Sequence, residues 1–172
     1  VLNDGRLRFN GSVFFVDVSG LQTTIFDPSI ANLFFSDNAA DAEITGLEGD
    51  FLYYPNIDGL MISGAFSVLD TEIKKSLTTS DVLAGQELAF APGVQANLMA
   101  RYEWGLAAGN QGHVQAQVNW SDESFSDIIE PNKARQDSYS FMNIRAGISN
   151  DEWLTEIYVD NVTDERAEIS NN

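Results

Sequence analysis

Val94-Gln-Ala-Asn-Leu-Met-Ala-Arg-Tyr-Glu-Trp104 is the stretch on which the fold turns. Successive side chains of an extended chain point to opposite faces. Val94, Ala96, Leu98, Ala100, Tyr102 and Trp104 therefore share one face, and Gln95, Asn97, Met99, Arg101 and Glu103 the other. The following stretch repeats the pattern, with Val114, Ala116, Val118 and Trp120 opposed by His113, Gln115, Gln117, Asn119 and Ser121. Between them Ala107-Ala-Gly-Asn-Gln-Gly112 has the composition of a tight reversal, and the two stretches read as a hairpin.

Working outward, the same period appears from Leu7 to Thr24, where Leu7, Phe9, Val13 and Phe15 oppose Arg6, Arg8, Asn10 and Ser12, with weaker alternation near Val16. A strand over Ala42 to Tyr54 ends at Pro55-Asn-Ile-Asp-Gly59. It leads into Leu60, Ile62, Gly64, Phe66 and Val68, opposed by Ser63, Ala65 and Ser67. Met142, Ile144, Ala146 and Ile148 alternate with Asn143, Arg145 and Gly147, and Asn150-Asp-Glu152 turns the chain into Trp153 to Val162. The total is about seven antiparallel strands in an all-β chain.

Connection lengths interleave. Short turns fall at Pro55 to Gly59, Ala107 to Gly112 and Asn150 to Glu152, and long polar connections at Asp27 to Asp37, Lys74 to Pro92 and Ser121 to Asp137. This is the rhythm of an up-and-down transmembrane barrel, with short turns on the periplasmic side and long loops outside. A Greek-key sandwich has no need of it. Tyr53, Tyr54, Tyr102, Trp104 and Trp153 stand beside the short turns, where the inner aromatic girdle of such a barrel meets the headgroups, and Trp120 and Phe125 at the far end, where the outer girdle belongs. Aromatics also favour strands in general, so the girdle argument gains its weight from the loop rhythm.

Composition narrows the function. The 172 residues carry 9 Lys plus Arg against 26 Asp plus Glu, a net charge of -17, without the clustered cations that nucleic acid requires. Cysteine is absent, which removes disulfides and thiolate chemistry. No apolar run reaches the length of a membrane helix, a test blind to strands that alternate between lipid and lumen. The N-terminus shows no signal-peptide pattern. His113, the single histidine, lies on the polar face and reads as lumen-facing or solvated rather than as a catalytic base. The pairs Glu48 with Asp50 and Asp70 with Glu72 read as polar wall rather than as a calcium site, for which no Asp-x-Asp-x-Asp-Gly loop exists. No catalytic residue, metal site or cofactor is expected, and the chain does not read as an enzyme.

Several strings, in order along the chain, resemble the TonB-dependent receptor family. Asn38-Ala-Ala-Asp-Ala-Glu-Ile-Thr-Gly-Leu-Glu48, continuing to Tyr54-Pro55 and Gly59-Leu60, is similar to its pattern of Asn-Ala, Ile-x-Gly-Val/Leu-Glu and a proline turn before Gly-Leu. Arg6 to Gln22 resembles the preceding barrel strand, Ala91-Pro92 the "AP" entry to a strand, and Asn143 to Gly147 with Tyr158-Val-Asp-Asn-Val-Thr-Asp-Glu-Arg166 the late "N-L-T-D" signature. Ala167 departs from the usual aromatic, and Ile169-Ser-Asn-Asn172 lacks the expected final strand.

The resemblance implies that residues 1–172 are a C-terminal portion of the receptor barrel, a partial barrel without the plug domain and its TonB box. The whole protein would sit in the outer membrane of a Gram-negative bacterium, in contact with its lipid. There it would take up a siderophore, cobalamin or glycan, with TonB acting through the plug. Seven strands cannot enclose a plugged lumen, so this portion is not expected to transport by itself. Glu48, Asp50, Arg101, Glu103 and Arg145 are the lumen-facing candidates, and Tyr53, Tyr102, Trp104, Trp120 and Trp153 the lipid-interface aromatics. Two other readings compete: a passive porin, and a soluble extracellular β-sandwich that binds carbohydrate. In the sandwich, Val94, Leu98, Tyr102, Val114, Val118 and Ile144 would pack inward in a dry core.

Overall fold

The strands are β1 (Leu7–Asp27), β2 (Leu33–Tyr53), β3 (Leu60–Ser76), β4 (Val94–Gly105), β5 (Gln111–Ser121), β6 (Ser124–Phe125), β7 (Arg135–Gln136), β8 (Tyr139–Ser149) and β9 (Leu154–Val159) in a computed structural model that describes residues 4–27, 33–77 and 82–168. Seven of them form one antiparallel sheet in the order β1-β2-β3-β4-β5-β8-β9, and β6 pairs with β7 in a separate ribbon. Every neighbour in the large sheet is also the next wall strand in the chain, which is up-and-down topology. The turns at 54–59, 106–110 and 150–153 lie at one end, and the segments 82–93 and 122–138 at the other. Among the described residues no helix is long and apolar enough to cross a membrane, a result that says nothing of strands.

The register fixes the faces. Val13 pairs with Leu47, Leu47 with Val68, Val68 with Val94, Leu98 with Val118, and Val118 with Met142, so the apolar set runs unbroken across six strands. This face is bare: Val13 is 78% exposed, Phe15 62%, Leu98 51% and Ile157 74%. Among the described residues no second sheet covers it, so the dry core of a sandwich is not what the chain builds. Burial of apolar surface is the main driving force of folding in water, and a face this greasy left open implies a solvent other than water. From Leu60 to Val68 the band spans about 26 Å of strand, or roughly 20 Å of height at a tilt near 40°. Past Val68 the same face turns charged, with Asp70 opposite Thr45 and Glu72 opposite Glu43, which in turn faces Asp17.

Two expectations fail at this end. The connection Asp27 to Asp37 is mostly strand, since β1 runs to Asp27 and β2 begins at Leu33 rather than near Ala42; residues 28–32 lie outside the described part. Bulges hide this from a period-two reading, because each extra residue flips the parity of every later position in its strand. Gly20 sits at φ +68 within one, its N–H donating to the Asp41 carboxylate at 2.9 Å, and the pairing shifts again beside Ala39. Lys74 is the extra residue of a third, between the pairs Ala42 with Ile73 and Asp41 with Lys75. It bonds Glu72 at 2.7 Å and Glu43 at 3.1 Å, and these carboxylates hold the Lys74 pKa above its ordinary value.

The second correction concerns Phe125, which does not end a wall strand. It lies in the β6–β7 ribbon, with the Lys133 ammonium 4.2 Å above its ring. The connection that carries this ribbon contributes Ile128 and Ile129 to the small buried core of the described residues, formed by Ala39, Ala40, Ile73, Val82, Ile128 and Ile129 with Leu21, Leu88 and Ala89 against it. Ile73 and Thr71 share the parity of Ser67 and Ser63, so this core forms on the polar side of the sheet, at its long-loop end.

Candidate functional site: the polar face of the sheet

The five residues expected to face a lumen share one side of the sheet by register. Glu48 lies opposite Ser12 and Ser67, Asp50 opposite Asn10 and Ala65, Arg101 opposite Met61 and Gln115, Glu103 opposite His113, and Arg145 opposite Gln115 and Tyr158. Tyr53, Tyr102, Trp104 and Trp120 lie on the other side, Tyr102 and Trp104 stacked with ring centroids 5.8 Å apart. Trp153 stands in the β8–β9 turn, where Asn150 Oδ1 accepts the N–H groups of Glu152 and Trp153, and has no strand face.

On the polar side the sheet is concave over a trough of about 630 Å³, lined among others by Asn10, Glu48, Gln95, Asn97, Asn119 and Tyr139. Its lining mixes amides and hydroxyls with the carboxylates of Glu48 and Asp50 and the rings of Phe66 and Phe141. Cations on this face are matched by acids: Arg8 to Asp50 at 3.9 Å, Arg101 to Glu103 at 2.7 Å and Arg145 to Glu156 at 3.5 Å. Asn10 Nδ2 also donates to both Asp50 oxygens, at 3.1 and 3.0 Å. Such pairing lets charge sit in a polar wall without a strong net field, and most of these pairs are exposed enough to add little stability.

His113 lies on the polar face but is not solvated. It is 3% exposed, its Nε2 2.9 Å from Glu156 Oε2, while Arg145 takes the other Glu156 oxygen. The ring reaches across β8 from β5 to β9 over Gly147, where an added Cβ would fall 2.6 Å from His113 Cε1 and 2.6 Å from the Thr155 carbonyl oxygen. Sequence reasoning placed Arg145 and His113 on the right face and missed their shared acid. The signal available was Gly147, a residue without a side chain in an otherwise well-patterned strand. Among the described residues no group of three or more His, Cys, Asp or Glu is placed to hold a metal ion.

One bare apolar face, one polar concave face and sequential antiparallel pairing define a portion of the wall of an up-and-down β-barrel, not closed on itself. Residues 1–162 match the family model described as TonB dependent receptor-like, beta-barrel, and the chain belongs to that family. Solved structures agree in fold. The ferric preacinetobactin receptor BauA of Acinetobacter baumannii superposes with a TM-score of 0.69 at 21% identity, over 96% of this chain and 24% of that one. The siderophore receptor PiuA of the same organism gives 0.72 at 19% identity, over 98% and 24%. FpvA of P. aeruginosa, bound to a heterologous ferric pyoverdine, gives 0.65 at 16%, over 98% and 22%. The chain thus spans about a quarter of the length of these receptors.

Proposed function

We propose that this chain is wall from the C-terminal part of an outer-membrane receptor that takes up a scarce ligand with energy delivered by TonB. The observation that carries the reading is the uncovered apolar face, which only acyl chains would satisfy, joined to a polar concave face on the same strands. In this arrangement Glu48, Asp50, Arg101, Glu103 and Arg145 line the lumen against a plug domain. Tyr53, Tyr102, Trp104, Trp120 and Trp153 meet the lipid headgroups, and the connections 77–93 and 122–138 face the outside. Family membership and the siderophore receptors of like fold favour an iron chelate as ligand over cobalamin or a glycan.

The test uses the full-length receptor in a Gram-negative host under iron limitation, with radioactive iron supplied as a set of ferric siderophores. Receptor-dependent accumulation of at least one, lost on deletion of TonB, is the expected result. Accumulation that survives the deletion describes a passive pore instead. For topology, brominated lipids should quench Trp104 and Trp120, and protease on intact cells should cut in 77–93 or 122–138; cleavage confined to the short turns inverts the assignment.

A further inference from the structure

The segments 82–93 and 122–138 adjoin neighbouring wall strands at the end of the trough, and the structure ties them to each other and to the wall. Val82 pairs with Ile129 in an isolated antiparallel bridge. The Phe90 N–H donates to the Phe125 carbonyl at 2.8 Å, and the Gln86 amide donates to the Glu130 carboxylate. Within the second connection Ser126 N–H donates to the Ala134 carbonyl at 2.9 Å, and Asp127 Oδ1 accepts the N–H groups of Ile128 and Ile129. The first connection continues along the edge of β3 that β4 leaves free: Ile73 and the segment Gly85 to Gln86 exchange two backbone bonds of 2.8 and 2.7 Å, and Leu88 N–H donates to Thr71 Oγ1. Beneath these bonds lies the buried cluster of Ala39, Ala40, Ile73, Val82, Ile128 and Ile129, drawn from two wall strands and both connections.

We propose that the two connections are a single body, an inward-folded cap fastened to β2 and β3, rather than two loops that move independently. The packing couples the two connections. Val82 of the first connection and Ile128 and Ile129 of the second are buried in one shared cluster with Ala39, Ala40 and Ile73 of the wall, and Leu88 and Ala89 of the first connection pack against that same cluster. Loss of either partner therefore exposes the other, the condition for two segments to open in one step. The cap adjoins the trough, because Gln95, Ser121 and Tyr139, at the ends of the strands from which the two connections leave, line it. Whatever reaches the trough from this side meets a preformed ledge and passes by displacing all of it or none. This inference concerns the packing of the outer end and holds independently of the transport reading.

The experiment is hydrogen exchange read by mass spectrometry on the full-length receptor in detergent, comparing wild type with Ile129→Asp. An aspartate in the buried cluster should speed exchange in 82–93 and in 122–138 together, each by roughly tenfold or more, and leave 94–105 and 111–121 unchanged. Acceleration confined to 122–138 overturns the proposal. As a variant that does not threaten folding, Val82→Cys with Ile129→Cys introduces a cysteine pair into a segment that has none. The pair is expected to oxidise readily and to slow both segments together, because directly opposed residues of an antiparallel bridge lie within disulfide reach. A pair that stays reduced under oxidant, or that slows one segment only, overturns it as well.

Discussion

The wall and the cap are held together by different physics although the same strands run through both. In the wall, Leu98 and Val118 face each other on the sheet and remain about half exposed, and stability comes from the ladder of backbone bonds and from whatever solvent wets that face. Beneath the cap, Ile73 and Ala40 are fully buried against side chains from elsewhere in the chain, as in a small water-soluble domain. The contrast teaches where the protein borrows its core. Over the apolar band the core is external; beyond Val68, where Asp70 and Glu72 replace aliphatic residues on the outer face, the protein must supply its own, and does so on the inner side.

The sharpest break of this comparison is a cation placed on either face of one wall strand. Leu98→Arg puts a guanidinium near the middle of the apolar band and is expected to cost the full-length receptor about 2–4 kcal/mol in a bilayer. Asn97→Arg, one residue away on the polar face, should cost less than about 1 kcal/mol. Reversible urea unfolding in lipid vesicles measures both. Equal costs would remove the distinction between the faces, and with it the membrane reading.

A smaller effect probes another place where the polar face of the wall packs like a core. Gly147→Ala drives a methyl group against both the His113 ring and the Thr155 carbonyl, only one of which belongs to a movable side chain. An overpacking cost of about 1–3 kcal/mol is expected, concentrated in β9, whose pairing spans six residues. Faster exchange of the Leu154 to Val159 amides with no change in β4 is the signature. Uniform loosening of the sheet would show that the His113 to Glu156 contact does not fasten β9 locally.

Legibility in the sequence divides along the same line. Wall strands declare themselves because successive residues meet two different environments, one on each face; β4 and β5 repeat the Val94 to Trp104 and Val114 to Trp120 alternation residue for residue. The late string Asn161-Val-Thr-Asp-Glu165 is recognisable by resemblance, and the structure supplies its physics. Asn161, at φ +52, accepts hydrogen bonds from Thr163 and from the Glu165 N–H and donates to the Glu165 carbonyl, a clasp that needs a short amide side chain tolerant of left-handed backbone. The cap was not legible. Its bulges at Gly20, Ala39 and Lys74 break the alternation, and its buried residues are brought together from four separate stretches by pairings of long sequence separation. The polar residues of the trough were placed on the correct face by alternation alone, but the ion-pair partners on neighbouring strands depend on register, which no local pattern states.

The smallest expected effect lies on the boundary between the two regions, at Lys74, where the outer face has already become charged. Its folded pKa is raised, first by the hydrogen bond to Glu72 and then by that to Glu43. A raised lysine contributes stability that is fully present below its unfolded pKa of 10.5 and is lost as pH rises through the higher folded value. The group is exposed, so water and salt screen most of the attraction. The difference in thermal stability between wild type and Lys74→Gln should accordingly be flat from about pH 6 to about pH 9 and shrink only in the alkaline range, and it should be larger at low salt than at physiological salt. A difference insensitive to both salt and alkali would mean that Lys74 acts as the extra residue of its bulge, through backbone geometry, and that its bonds to the two glutamates result from that placement instead of holding it.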